Sequence, residues 1–596
     1  MQLRNLIICL LALAIAVAML IAAGSQLDYI NEKRGEMKLI SNTALENAPP
    51  SLAFATIAMG AFRGLVVDIL WMRADKLKME GQFFDAKQLA EWITTLQPRF
   101  AEVWDFHAWN MAYNISVAMP AEQPQERWRW VKNGYELLRD KGIPMNPKSI
   151  LLYRSIAWIF QHKMGNIMDD AHKYYKLQLA SMMEPLIGNT DNDFFDALAK
   201  SPTNIKQVIN DPNIAPFIKK LKSSDVLFDD NDKLVQNYLA LRQNPNKFAP
   251  NVFRVIDEFR GTEALRQFDT FAKAYELRNT WKMDPALMHK INNMHGPVDY
   301  DDPNQHLPLD WRHPDSHAIY WAVKGLEVAG QDTFTIAETN VDRIVIHSLQ
   351  NLFRNGKIFI YSIPAPKEQL DIQPGDIPND SPTTLKTVYL RKDLKMFDPY
   401  NNAVLAVLEK YKRIRGEKGA YKTWVTGHKN MLKNATVDFY LAGLLPKSKQ
   451  TYAQLKELYP EPDWNLPLAI FVRNRIKDKL GSLGIHDAQQ IIQSLLQEAY
   501  FRYAMRDDNE CFGREQMAKE VYENYAAEFS DEERVRLPEL KFLRFLALID
   551  FLNTPYYPVN LRQSLIARIK IERPDLAEKF KQYEEKMIKE MEKAQQ

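Results

Sequence analysis

Apolar positions recur every three to four residues along most of the chain, with polar and charged residues between them, which is the spacing of amphipathic helices. The clearest departure is at the N-terminus, where Leu6 to Ala23 form an uninterrupted apolar run of 18 residues between Arg4 and Gly24-Ser25. At 1.5 Å per residue such a helix is about 27 Å long, enough to cross a hydrocarbon core. The run offers Ala22-Ala23-Gly24 to a signal peptidase, but it is longer than the roughly 7–15 apolar residues of a signal peptide. The expectation is therefore a retained single-pass anchor over residues 1–27. A short N-terminal tail stays cytoplasmic, so the long following chain is expected on the far side of the membrane. A second apolar stretch, Leu52 to Met72, carries Arg63 and Asp68. A mid-span charge costs about 2.5–3.5 kcal/mol, so this stretch reads as a buried helix, with Gly60 and Gly64 spaced to allow close packing.

The helices repeat. Leu70 and Ala74 return 34 residues later as Trp104 and Ala108, with Ala86, Ala90 and Ile93 on one face between them and Pro98 closing the unit. This spacing resembles the tetratricopeptide repeat (TPR), an antiparallel helix pair whose small residues allow close approach. The sequence departs from that pattern in having Ala74 and Leu77 where a Gly-Tyr pair is usual. A second unit pairs Trp104 to Ala108 with Glu126 to Arg139, stretched around Pro120 and Pro124. A third runs from Leu151 through Gly165 to Ala171 and Met183. Three such units suffice for a stack, so 48–188 is expected to be TPR-like.

Beyond it the texture changes. Residues 189–302 hold short helical runs separated by Asn, Asp and Pro, the look of a helical insertion, and 303–363 a polar loop followed by helices. Five prolines between Pro364 and Pro382 mark 364–388 as an extended proline-rich loop. From 389 to 596 helical hairpins resume, ending in an amphipathic helix from Asp575 to Lys593. The predicted fold is all-α: an N-terminal transmembrane helix followed by TPR-like α-solenoid hairpins with a helical insertion.

Composition agrees. Of 596 residues only 22 are glycine, which disfavours a turn-rich β protein, and 77 Lys+Arg balance 75 Asp+Glu, so no basic field recruits nucleic acid. Cys9 and Cys511 are too far apart in sequence to imply a metal knuckle. No phosphate-binding glycine loop, nucleophile elbow or Cys-His arrangement occurs, and no cofactor is implied. The densest polar cluster spans His295 to His317 and holds four of the 11 histidines. Imidazole and carboxylate are suitable metal ligands, which makes His306, His313, His317 and Asp310 the candidate metal set. Against this, no HExxH-type spacing is present, and Asp315 or Ser316 suits a helix cap.

Gly296-Pro297, Leu309-Asp310-Trp311-Arg312, His317 to Ala322 and Ala108 to Asn114 together resemble an uncharacterised family of large membrane-anchored, repeat-containing bacterial proteins. That resemblance implies a bacterial cell membrane location and the repeat architecture, and it supplies no reaction. On the second unit, Asn110 and Asn114 are four apart on one helix, beside Trp109 and Tyr113. By analogy with repeats that hold extended peptides, these four are the candidate partner-binding residues. Two functions are open at this point. One is a membrane-anchored helical scaffold for a protein or peptide partner, such as an accessory of an envelope or transporter complex. The other is an extracytoplasmic metal- or carboxylate-dependent enzyme acting on envelope polymer or polysaccharide.

Overall fold

The computed structural model describes residues 63–188, 191–300, 306–329, 336–364, 384–417, 420–442, 444–480, 485–528, 537–553 and 557–578, together with residues 19 and 581. The expected anchor at 1–27, the centre of the proline-rich loop and most of the last helix lie outside them. Among the described residues no helix is long and apolar enough to cross a membrane.

The chain begins as helical hairpins. Helix α1 (Arg63–Met79) pairs with α2 (Phe83–Leu96). Helix α3 (101–118) follows, then α4 (124–145), α5 (150–165) and α6 (His172–Ile187). Three of these helices widen locally into π-turns: Asn110–Ile115 in α3, Leu138–Gly142 in α4 and Ile159–Gly165 in α5. A π-turn inserts one residue and rotates everything after it, and such turns concentrate at functional places in proteins. Close approach is bought at one point by glycine: a Cβ on Gly134 of α4 would stand 3.0 Å from both the Ala108 carbonyl oxygen and the Ala112 Cβ. The helix expected to be buried over Leu52 to Met72 is only half so. In the part described, Val67 is buried while Leu65, Ile69 and Met72 are 57%, 53% and 63% exposed, because α2 covers one side of α1 alone.

Mostly shorter helices follow: α7 (Asn192–Lys200), α8 (Ile205–Ile209), α9 (Ala215–Ser224), α10 (Asn231–Ala240), α11 (Pro250–Glu258), the longer α12 (Glu263–Asn279) and α13 (Pro285–His295). Their starts are legible. Asp191, Thr262 and Asp284 each accept a backbone N–H of the first turn, and Pro285 occupies the first position of α13, where no donor is needed. Val208 to Ala272 form a hydrophobic core of their own, whereas Phe195, Leu198 and the stretch from Ala274 to Ile291 join the main core.

Helices α14 (Pro314–Ala329) and α15 (Ile336–Asn355) pack back onto α5. The chain then departs from the all-α expectation. Strands β1 (Lys357–Pro364) and β2 (Thr384–Arg391) form a two-stranded antiparallel ribbon at the edges of the predicted proline-rich loop. Ile358 faces Leu390 and Ile360 faces Val388, and this apolar side lies on Leu177 and Ala180 of α6. The period-two alternation of β-branched residues is the local cause.

The remaining helices are α16 (Phe397–Arg415), α17 (Ala420–Leu441), α18 (Leu445–Leu458), α19 (Leu468–Leu480), α20 (Ile485–Ala504), α21 (Asp508–Glu528), α22 (Leu540–Asn553) and α23 (Val559–Glu572). The main core runs from Trp104 to Ile476, and α20 to α23 enclose a separate one from Ala488 to Leu576.

Candidate functional site

Two regions gather the residues singled out by sequence. The first is a groove between α3, α5 and α15. Trp109 and Tyr113, one turn apart on α3, stack with ring centroids 4.1 Å apart, and Trp158 and His162, one turn apart on α5, stack at 4.7 Å. The Tyr113 hydroxyl lies 3.4 Å from His162 Nδ1, which joins the two pairs into one aromatic ladder across the helices. Beside this ladder opens a cavity of about 390 Å³, lined by Asp105 and Trp109 of α3, Arg154 and Trp158 of α5, and Asn340, Arg343, Ile344 and His347 of α15, among others. Its volume falls in the range of small-ligand and short-peptide sites.

The floor is fixed by polar ties. Gln161 Nε2 donates to the Ile344 carbonyl at 3.0 Å, binding α5 to α15. The Ser155 hydroxyl donates to Asp105 Oδ1, and burial pushes the Asp105 carboxyl above the usual carboxylate range. Arg154 is half-buried and Arg343 exposed. Arg343 Nη1 donates to Asn340 Oδ1 at 3.3 Å, and among the described residues no carboxylate stands in salt-bridge contact with either guanidinium. His347 is held below its ordinary value by burial and then by Arg343 and Arg354, so its ring is neutral at pH 7.

Of the four predicted partner-binding residues, Trp109 lines this cavity and is 39% exposed, and Tyr113 stacks behind it, half-buried. Asn110 is placed differently from the sequence expectation: it is wholly buried. Its Nδ2 donates to the Phe83 carbonyl at 2.8 Å, tying α3 to the start of α2, and its Oδ1 accepts from Asn114 Nδ2 at 2.9 Å. Asn110 continues the buried stripe of Val103 and His107 on α3, so the asparagine pair holds helices together and offers no amide of Asn110 to a partner.

The second region is the buried start of α14, where the candidate metal residues cluster in sequence but not in space. Asp310 is engaged by Arg312, whose Nε and Nη2 donate to its two oxygens at 2.9 Å each. The His306 Nδ1 meets the Gly296 carbonyl at 3.0 Å. His317 is fully buried, stacked on Phe160 with Nε2 on the Trp311 carbonyl at 2.9 Å, and burial pushes its pKa down to about 4. His313 accepts the Asp315 backbone N–H at Nδ1, a cap on the first turn. Among the described residues no three His, Cys, Asp or Glu side chains converge in a way that could hold a metal ion.

What the region does instead is cap a buried helix end. Helix α5 terminates inside the protein, leaving its last carbonyls to be satisfied. Lys176 of α6, fully buried, donates from Nζ to the Met164 carbonyl at 2.7 Å and the Asn166 carbonyl at 3.0 Å. Asn351 Nδ2 donates to the Gly165 carbonyl at 3.0 Å and to Asp315 Oδ2 at 2.6 Å. Burial lowers the Lys176 pKa and raises that of Asp315, and their mutual attraction opposes both shifts.

No family model and no curated protein matches this chain. The groove and the capped helix end therefore stand on geometry alone. Sequence reasoning passed over Lys176, Arg154, Trp158 and Arg343. For Lys176 a signal existed: Leu179, Ala180 and Met183, at three, four and seven residues on, are all buried, so the lysine stands on the apolar stripe of its helix. Arg154 and Trp158 likewise repeat the one-turn spacing of Trp109 and Tyr113, but only the fold brings the two pairs face to face.

Proposed function

We propose that this chain is a helical-repeat scaffold, tethered to a bacterial cell membrane through its N-terminal apolar segment, that binds a protein or peptide partner. The observation that carries the reading is the aromatic-walled cavity between α3, α5 and α15. It offers two indole rings and Ile344 as apolar surface among polar and charged side chains, a combination suited to an extended peptide segment. The pairwise packing of the first helices supports it, since stacked helix pairs make such grooves. The tether is supported by α1, where the exposed residues Leu65, Ile69 and Met72 fall on one face at i, i+4 and i+7 and continue the apolar character of the chain before them. A scaffold held at the bilayer meets membrane-bound partners at raised effective concentration.

Site-specific photo-crosslinking tests the reading. A photoreactive residue at Asn340 should yield a discrete adduct in membranes, diminished by Trp158→Ala, whereas the same residue at Lys219 in the insertion should not. Equal adduct patterns from both positions, or none from Asn340 in any growth condition, would remove the groove as the binding site.

A further inference from the structure

The groove holds more guanidinium than carboxylate, with Asp105, which Arg154 attracts, as the one acid in its lining. Arg154 and Arg343 come from different helices and border the same cavity, yet among the described residues neither guanidinium has a carboxylate in salt-bridge contact. Other buried or half-buried cations in the fold are closed by acids: Lys410 on Glu338 and Asp342, Lys447 on Asp398, Lys163 on Asp169. The one acid in the lining, Asp105, takes the Ser155 hydroxyl on one oxygen. The neutral His347 ring adds no charge of its own. The cavity thus carries two fork-shaped donors against one carboxyl, between the indoles of Trp109 and Trp158.

We infer that the groove selects a peptide segment whose internal Asp or Glu side chain is clamped between Arg154 and Arg343, with a flanking apolar or aromatic residue against Trp109 and Trp158. This deepens the scaffold reading above and rests on it. Guanidinium presents paired N–H donors that match a carboxylate bidentately, and the charge-assisted bonds are stronger than neutral ones. An indole face accepts apolar and aromatic side chains, and stacking on it adds to their burial. Nucleic acid fits poorly: phosphate-backbone binding draws on a track of many cations, and only two unpaired ones stand here in a chain of net charge +2.

The test is selection of a displayed random dodecapeptide library, capped at both ends, on the full-length chain in detergent, followed by affinity measurement of selected peptides by fluorescence anisotropy. The expected result is enrichment of Asp or Glu next to an aromatic or large apolar residue. Replacing that acid by its amide should weaken binding at least tenfold, as should Arg154→Gln or Arg343→Gln. Arg343 is exposed, so Arg343→Glu leaves folding intact and should invert the selection towards basic peptides. Peptides that bind in a Trp158-dependent way without acidic enrichment would overturn the carboxylate clamp and leave the peptide groove standing. Failure to enrich any Trp158-dependent peptide would overturn both, and preference for a single-stranded oligonucleotide over every selected peptide would overturn the clamp in favour of phosphate.

Discussion

Lys176→Met removes one ammonium and leaves the volume of its side chain filled, so the consequences of the missing charge can be separated from those of a cavity. In the native protein this Nζ supplies the Met164 and Asn166 carbonyls and lies 3.3 Å from His172 Nδ1, with no part of the side chain exposed. One buried and one half-buried acceptor then lose their donor, at roughly 1–3 kcal/mol each, the half-buried one at the low end. The strongest attraction on Lys176 comes from Asp315, itself fully buried, but the two make no salt-bridge contact, so the loss of that attraction adds to the cost of the stranded carbonyls without a broken ion pair. The same ammonium serves both, and about 4 kcal/mol is the expected total. Because a chain of this size does not unfold in one step, the assay is local: native-state hydrogen exchange of the amides in Ile159–Gly165 and in α6. Protection should fall about a thousandfold, since each 1.4 kcal/mol is tenfold. Adding Asp315→Asn, which removes the stranded carboxylate, should recover on the order of 1–3 kcal/mol as a coupling energy. A loss of protection under about fivefold, or strictly additive single and double variants, would refute the reasoning.

Other consequences are independent of that one. Gly165→Ala places a Cβ on the Asp315 carboxylate and 3.1 Å from the Phe160 carbonyl oxygen, so it should destabilise the same region by about 1–3 kcal/mol or more, and a thermal melt matching the parent would contradict the packing. His428 receives the Tyr459 hydroxyl at Nδ1 (2.7 Å) and reaches Asn401 Oδ1 from Nε2 (2.8 Å), and burial pushes its pKa down to about 4. With an unfolded value near 6.5, the unfolded chain binds the extra proton first, so this site's stability is full above about pH 6.5 and falls by about 3 kcal/mol as pH drops through 4. His428→Gln should flatten that part of the acid-unfolding profile; an unchanged slope would remove the histidine from it. Ile69→Glu, on the 53% exposed position of α1, should leave the circular dichroism spectrum and melting temperature unchanged while lowering co-sedimentation of the protein with anionic lipid vesicles, and unaltered sedimentation would show that α1 does not contribute to the tether.

Much of the fold was legible because helices announce themselves through a single period. Thr262, Asp284 and Pro285 mark helix starts by local chemistry alone, and the alanines at 86, 90, 108 and 112 mark close packing. The β ribbon was passed over because its two halves are separated by the proline-rich loop, and each eight-residue strand is too short to outweigh the helical texture around it. The site was less legible. Trp109 could be found from one helix, but Arg343 lies 234 residues away and meets it only through the docking of α15 on α5. Asn110 misled for a related reason: its spacing to Asn114 is helical whichever way the face points, and only the docking of α3 on α2 buries it.

Helix α5 connects the two regions. Its first half presents Arg154 and Trp158 to the groove, and its second half is the π-turn whose end Lys176 and Asn351 cap. His162, inside that turn, stacks on Trp158 and reaches the Tyr113 hydroxyl, so the aromatic wall of the groove continues directly into the capped segment. Gln161, one residue earlier, ties the same turn to α15, which carries Arg343. A cap that fails therefore frees both walls relative to each other, and a groove ordered only on binding pays that entropy in affinity. Lys176→Met, though it lines no part of the cavity, should weaken the peptides selected on the parent by roughly tenfold, mainly through faster dissociation, an effect on the order of 1.4 kcal/mol. If the variant loses its exchange protection in Ile159–Gly165 yet binds those peptides with parental affinity, the groove draws its rigidity from the Ser155–Asp105 contact between α3 and α5, and Ser155→Ala becomes the substitution that loosens it.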